Sequence, residues 1–329
     1  MTSLIIDETA IPALSGKVAL ITGGASGIGF AAAKLLATKD ATVHILDRHP
    51  PSATASFPPV HSPLSERIIF HQCDVTHWKT LRGIFAKVGH VDYVFANAGI
   101  SENENFLADT LEEEMKSNTS ITRDEVLNQL AEPAYPLVDV NLKSVLNVIK
   151  LAHHSFKRDT TRGSIVITSS STAYSPEQSL PVYSALKLAL VGLIRSLRHN
   201  LAQDDITINA VVPACTETAL VGDDFLGPIK EMGLPVSSAR HVGAALVYSA
   251  VATQTRKVDI YGKEPLENLY KAGRWNGRVI LTLGDMYTEL EEKLADLRPQ
   301  WFGEENLRLQ NQQQAVTDFR DFGVSGRAW

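Results

Sequence analysis

Cysteine is scarce in this chain of 329 residues, with Cys73 and Cys215 the only two. A single distant pair provides neither a disulfide framework nor a thiolate metal site, and it suits a reducing compartment. Charge of one sign is concentrated nowhere. Lys and Arg number 31 against 37 Asp and Glu, a formal net charge of −6. A protein that grips phosphate backbones carries a basic patch or stripe, so nucleic acid is not an expected partner. Long apolar runs are missing too, and nothing approaches the roughly 18 residues of a membrane span. The first residues, MTSLIIDETAIPALSG, carry Asp7 and Glu8 where a secretory signal needs positive charge. The expectation is therefore a cytoplasmic protein with no membrane partner, and the Asn118-Thr119-Ser120 sequon reads as a polar loop. The ten histidines show no zinc-ligand spacing, and the adjacent His153 and His154 point to different faces of one helix. No metal is expected.

What is present suits a folded protein: 44% hydrophobic and 21% charged residues, which excludes disorder and collagen. From Lys17 a short apolar run, a turn and an amphipathic stretch recur, the pattern of a doubly wound α/β parallel sheet with helices on both faces. The candidate strands are 18–22, 42–46, 68–71, 93–96, 164–168, 207–212 and 279–283, about seven in all. Most are continuously apolar, as strands covered on both faces are. Three segments interrupt the rhythm. Residues 49–63 hold five prolines and read as a surface loop. Residues 101–134 are polar and acidic, an insertion with a short helix of its own, and Pro133 and Pro136 open the next helix. After Gly284 an acidic helical stretch (287–297) and a Gln-rich end (310–314) suggest an extension. The expected organisation is an N-terminal extension (1–13), one domain (14–285) and a C-terminal extension (286–329).

The first candidate strand runs into Thr22-Gly23-Gly24-Ala25-Ser26-Gly27-Ile28-Gly29 and then into the helix-forming FAAAKLLA. Glycines let the backbone approach a ligand, and the free N–H groups and positive end of the helix favour a pyrophosphate. The strand before and the helix after supply the context that a dinucleotide site needs and a bare tight turn lacks. About 20 residues on, the second strand ends at Asp47, whose carboxylate suits the adenosine ribose hydroxyls and repels a 2′-phosphate. Arg48 beside it has a guanidinium suited to that phosphate. NAD is favoured over NADP because Ser26 offers no positive charge next to Gly27. In Tyr183-Ser-Ala-Leu-Lys187 a spacing of four puts both side chains on one helix face, so the ammonium favours the ionised phenol. Free Tyr titrates near pKa ~10, too high for a base at neutral pH, and Lys187 together with an oxidised nicotinamide is expected to lower it.

Around that pair, GSIVITSS ends at Ser170, Asn97-Ala98-Gly99 closes the fourth strand, and Asn141 lies in VDVNLKSV. In this order TGGASGIG, Cys73-Asp74-Val75, NAG, Asn141, Ser170 and YSALK resemble the short-chain dehydrogenase/reductase family over about residues 14 to 285. PEQSLPVYSALK resembles its hydroxyprostaglandin dehydrogenase-like members, including fungal enzymes of secondary metabolism. The resemblance implies a single Rossmann-type fold and metal-free oxidoreductase chemistry between a secondary alcohol and a ketone. It implies Tyr183 as general base or acid, Ser170 as hydrogen-bond partner of the reacting oxygen, Lys187 on the nicotinamide ribose, and Asn141 as anchor of a proton-carrying water relay. For the cofactor it implies Gly23, Ser26, Gly27, Ile28 and Gly29 at the pyrophosphate and Asp74 and Val75 at the adenine. Asn97, Ala98 and Gly99 would lie beside them, with Pro213, Thr216 and Thr218 on the nicotinamide side.

The chain departs from the family in three places. Pro213-Ala214 stands where Pro-Gly is common, Leu180 replaces a polar substrate-holding residue of the prostaglandin-type enzymes, and residues 101–134 are longer than usual. Helices around 137–151 and 182–201 carry apolar surface through which family members form homodimers or homotetramers. Residues 214–235 mix apolar side chains with glycines directly after the sixth strand and are expected to form a substrate lid. The leading expectation is an NAD-dependent oxidoreductase acting on a small to medium apolar alcohol or ketone. The alternatives are an NADPH ketoreductase of the same family and a non-catalytic cofactor-sensing or scaffold protein.

Overall fold

In the computed structural model, which describes residues 3–52, 66–103, 106, 135–318 and 320, all seven apolar runs are strands. The main sheet comprises β1 (Ser3–Leu4), β2 (Val18–Thr22), β3 (Thr42–Asp47), β4 (Ile68–Gln72), β5 (Tyr93–Ala96), β6 (Ser164–Thr168), β7 (Thr207–Pro213), β8 (Val279–Leu283) and β9 (Met286–Glu289). Their spatial order is β1-β9-β8-β7-β6-β5-β2-β3-β4. From β8 to β4 every neighbour is parallel.

The helices are α1 (Gly27–Thr38), α2 (Trp78–Val88), α3 (Ser144–Asp159), α4 (Pro181–Ala202), α5 (Asp223–Glu231) and α6 (Ala239–Val251), followed by α7 (Glu291–Asp296), α8 (Arg298–Phe302) and α9 (Glu304–Val316). On one face of the sheet, Leu81 and Phe85 of α2, Val148 and Phe156 of α3, and Leu190 and Ile194 of α4 bury against Leu20, Ile165 and Ile208. On the other, Phe30 and Leu36 of α1 and Val242 and Leu246 of α6 cover Ile21, Val43 and Val211. Strands walled on both sides need apolar residues at successive positions, which is why they read as unbroken runs. Each large side chain so buried contributes about 1.5 to 3 kcal/mol.

The sheet is larger than the seven parallel strands expected. Gly284, at φ +56°, and Asp285 turn the chain back so that β9 runs antiparallel to β8, and β1 then pairs antiparallel with β9. The expected boundary at residue 285 therefore falls inside a hairpin. The expected helical stretch 287–297 begins as strand, and helix occupies Glu291–Asp296 only. The Gln-rich stretch lies in α9, which buries none of its side chains. Residues 53–65 of the Pro-rich loop and nearly all of the 101–134 insertion, with its expected helix and the sequon, lie outside the described residues.

Charged side chains fasten the segment after β9 to α4. Buried Glu291 accepts from Tyr174 Oη at 2.6 Å and from Arg195 Nε and Nη2 at 2.8 and 2.7 Å. Arg278, also buried, pairs with Glu289 at 3.3 Å and Glu292 at 2.7 Å. With one partner of each pair buried, these contacts hold geometry more than they add net stability, because desolvation offsets much of their attraction. The geometry held here is that of the helix carrying Tyr183 and Lys187.

Candidate active site

Helices leave opposite faces of the sheet on either side of the β2/β5 junction, and a crevice opens there at the carboxyl ends of the strands. The structure has a cavity of about 1170 Å³ at this place. Its floor is the glycine turn. Gly23, at φ +63°, passes so close to the next strand that a Cβ on it would lie 2.8 Å from Ala98 Cα. Ser26 is extended and its side chain caps nothing; the first helical bond of α1 runs from Phe30 N–H to Ser26 O at 3.1 Å. The N–H groups of Gly27, Ile28 and Gly29 therefore have no intrahelical acceptor. Ser26, Gly27 and Ile28 line the cavity. Unpaired donors at a positive helix end, with no side chain over them, fit a dinucleotide's phosphates.

Gly29 differs from expectation. It lies outside the cavity lining, and a Cβ on it would fall 2.2 Å from Gly23 O. Its role is to let α1 pack onto the turn.

At the end of β3 the Asp47 carboxylate is fixed by two backbone donors, Ala25 N–H to Oδ2 at 3.1 Å and Arg48 N–H to Oδ1 at 2.8 Å. It is thus locked to the glycine turn, and Arg48 lines the cavity beside it. Asp74 Oδ1 accepts from Thr76 N–H and Oγ1 at 2.9 and 2.7 Å, bonds that hold its carboxyl below the usual range. Asp74, Val75, Asn97, Ala98 and Gly99 all line the cavity, as do Pro213, Thr216 and Thr218. With Ala214 in place of Gly, Ala214 N–H still bonds Thr282 O at 2.9 Å, so β7 keeps its register with β8 through the turn.

Ser170, Tyr183 and Lys187 line the same cavity. The Lys187 ammonium donates to Thr168 O at 3.1 Å and stands 5.3 Å from the centre of the Tyr183 ring, within cation–π range. Burial pushes Lys187 down to about 8. At Tyr183 burial raises the phenol above the ordinary value, while a hydrogen bond with Ser170 works the other way. Lys187 facing the ring does not offset that desolvation.

Asn141 is fully buried and absent from the cavity lining. It sits in a single π turn, Asp139–Lys143, a widened turn of a kind frequent at functional sites. Its amide is committed to one backbone residue: Ile100 N–H donates to Oδ1 and Nδ2 donates to Ile100 O, both at 2.9 Å. The side chain is a clamp on the loop after β5. That loop brings in a residue the motifs did not flag, Glu102, whose Oε2 accepts Tyr183 N–H at 2.8 Å. A lone acid in a polar stretch carries no sequence signal. Thr168, which holds Lys187 through its carbonyl, was likewise silent.

A family model described as short chain dehydrogenase matches residues 17–225. The chain belongs to the short-chain dehydrogenase/reductase family. It is accordingly an oxidoreductase acting on CH–OH groups with NAD(P). The protein described as short-chain dehydrogenase/reductase prx4 of Penicillium rubens is 50% identical over 320 residues, covering 97% of this chain and 90% of that one. Short-chain dehydrogenase/reductase ATR7 of Stachybotrys chlorohalonatus is 49% identical over 332 residues, covering 99% and 97%. A solved short-chain type dehydrogenase/reductase from Mycobacterium marinum shares the fold, with a TM-score of 0.56 and 23% identity over 74% of this chain and 91% of that one.

The depressed Lys187 has a measurable consequence. Between about pH 8 and 10.5 the unfolded chain binds a proton at this residue that the folded protein does not, so stability rises with pH in that window. Lys187→Met removes the effect. Denaturant unfolding should show the wild type gaining on the variant by on the order of 3 kcal/mol from about pH 7 to 10.5. A difference that stays constant across the range would show that the lysine is not desolvated.

Proposed function

We propose that this enzyme uses NAD to interconvert a secondary alcohol and a ketone on a small to medium apolar molecule, with Tyr183 as the acid–base group. The observation that carries the proposal is the convergence of Ser170, Tyr183 and a buried Lys187 on the cavity that also holds the glycine turn and Asp47. When bound, the nicotinamide cofactor takes or gives the hydride. Tyr183 takes the proton from the substrate hydroxyl in oxidation and returns one to the carbonyl oxygen in reduction. Ser170 donates a hydrogen bond to that oxygen. Lys187, held by Thr168 O, keeps positive charge against the Tyr183 ring and would meet the cofactor's ribose.

Asp47 supports NAD, since its immobilised carboxylate suits ribose hydroxyls and opposes a 2′-phosphate. Arg48 in the cavity wall supports the second assignment, an NADPH ketoreductase. The apolar character of the substrate rests on the segment after β7. Leu220, Phe225 and Ile229 line the cavity, while Leu220, Phe225, Met232 and Leu234 are exposed and Leu226 alone of this apolar set is deeply buried. So little packing describes a cover better than a core segment. Exposed Val138, Leu146 and Leu188 near and on α3 and α4 support a homodimer or homotetramer. Both cysteines are free, in keeping with the cytoplasm, and among the described residues no helix is long and apolar enough to cross a membrane.

A panel of secondary alcohols and ketones assayed with both cofactors tests the proposal. Tyr183→Phe should lower kcat by about 10² to 10⁴ with NAD affinity nearly unchanged; retention of more than about a tenth of turnover argues against the role. Asp47→Ala should raise the KM for NAD and narrow the gap to NADP, whereas wild-type preference for NADP would leave Arg48 as the selector. Hydrogen exchange over residues 216–234 should be fast in the free enzyme and slow with NAD and substrate. Uniformly slow exchange without ligand would rule out a cover.

A further inference from the structure

We propose that Glu102 is a positioning residue for Tyr183: from a separate loop, its carboxylate caps the helix that carries the tyrosine and so sets the phenol's place against Ser170. The inference rests on Tyr183 being the acid–base group.

Helix α4 starts with an incomplete set of caps. Leu180 at the N-cap has no side-chain acceptor, Pro181 has no N–H, and the first helical bond runs from Ser184 N–H to Leu180 O at 2.9 Å. Tyr183 N–H is therefore one of the helix's orphan donors. Glu102, buried and 81 residues earlier in the chain, fills the gap at 2.8 Å. A carboxylate at a helix N-terminus is favoured by the macrodipole, and its hydrogen bond is of the strong, charge-assisted kind.

The loop that presents Glu102 is itself held. Two residues back, Ile100 gives both its N–H and its carbonyl to the Asn141 amide. Gly99 lets the loop pass close by, since a Cβ there would lie 3.2 Å from Asn141 Oδ1 and 3.6 Å from Lys187 Nζ. Asn141, Ile100, Glu102 and Tyr183 thus form one series of contacts from the π turn before α3 to the first turn of α4. The other tie at this helix start joins Ser184 Oγ to the backbone of Glu177 and leaves Tyr183 out. Glu102 holds the very residue whose ring must meet substrate. If that first turn loosens, the phenol shifts relative to Ser170.

The test uses the most reactive alcohol of the panel and expresses kcat per NADH-binding site, so that loss of folded protein does not register as loss of catalysis. Glu102→Ala should lower kcat about 10- to 100-fold, the scale of an ångström's misplacement, with NADH affinity and the KM for alcohol little changed. Glu102→Gln keeps a carbonyl acceptor and should restore most of kcat. Wild-type kcat per site in Glu102→Ala, or a Glu102→Gln variant as impaired as Glu102→Ala, overturns the inference. Tyr183→Phe run in parallel separates the two levels. If it is inactive while Glu102→Ala is normal, only the positioning role falls; if it turns over freely, the assignment of Tyr183 falls and the inference with it.

Discussion

The crevice depends on one side-chain amide. Where β2 and β5 part company with their helices, carbonyls at the strand ends lose their ladder partners, and buried carbonyls need replacements. Asn97 supplies them. Its Nδ2 donates to Thr22 O at 3.2 Å and Gly23 O at 3.0 Å, while Oδ1 accepts from Thr168 Oγ1 at 2.8 Å. Thr22 Oγ1 answers by accepting from the N–H groups of Asn97 and Ala98 at 3.1 and 3.2 Å. The turn that would hold phosphates is thereby tied to the end of β6. That strand end in turn holds Lys187, through Thr168 O, and leads directly into Ser170. Cofactor floor and acid–base wall are parts of one hydrogen-bonded frame. A strand slip of one residue would break both at once.

A second set of contacts holds the opposite side. Ser170 opens the 3-10 turn Ser171–Ala173, and Tyr174 follows it. Tyr174 and Arg195 of α4 share the buried Glu291, which comes from the helix after β9. The segment beyond the expected domain boundary thus reaches the two elements that carry Ser170 and Tyr183. This explains why the residues after 285 belong to the sheet and its polar packing: buried Glu291 would be costly without its partners, so it fixes the elements of Tyr174 and Arg195 in place.

Much of this was legible in the chain. Seven strands announced themselves because both faces are covered, and burial on both faces forces continuous apolar runs. The glycine turn was legible because strand, turn and helix are contiguous, and Tyr183 with Lys187 because a spacing of four is a fixed direction on a helix. Strand β9 was not: Met286-Tyr287-Thr288-Glu289 has no apolar run, and its signal was the Gly284-Asp285 turn before it. The contacts of Glu102 and of the Asn141 side chain escaped for a deeper reason. Their partners lie 81 and 41 residues away, and nothing local marks a side chain that serves distant backbone. Gly29 was legible as necessary, yet its purpose, clearance for Gly23 O, depends on how the turn and helix meet in space.

The two perturbed groups in the cavity share one cause. Desolvation raises the Tyr183 phenol and lowers the Lys187 ammonium, so the enclosed site favours the neutral form of both. An ion pair between them must first overcome the loss of water on both partners. On the proposed assignment, further positive charge entering the cavity would favour the ionised phenol of Tyr183. An oxidised, cationic nicotinamide would supply such a charge and favour the phenolate, the form that accepts a substrate proton. Beside a reduced, uncharged ring the protonated phenol would be favoured, the form that donates one. On the proposed assignment, the same side chain would serve as base in one direction and acid in the other, with the charge of the cofactor favouring one form or the other.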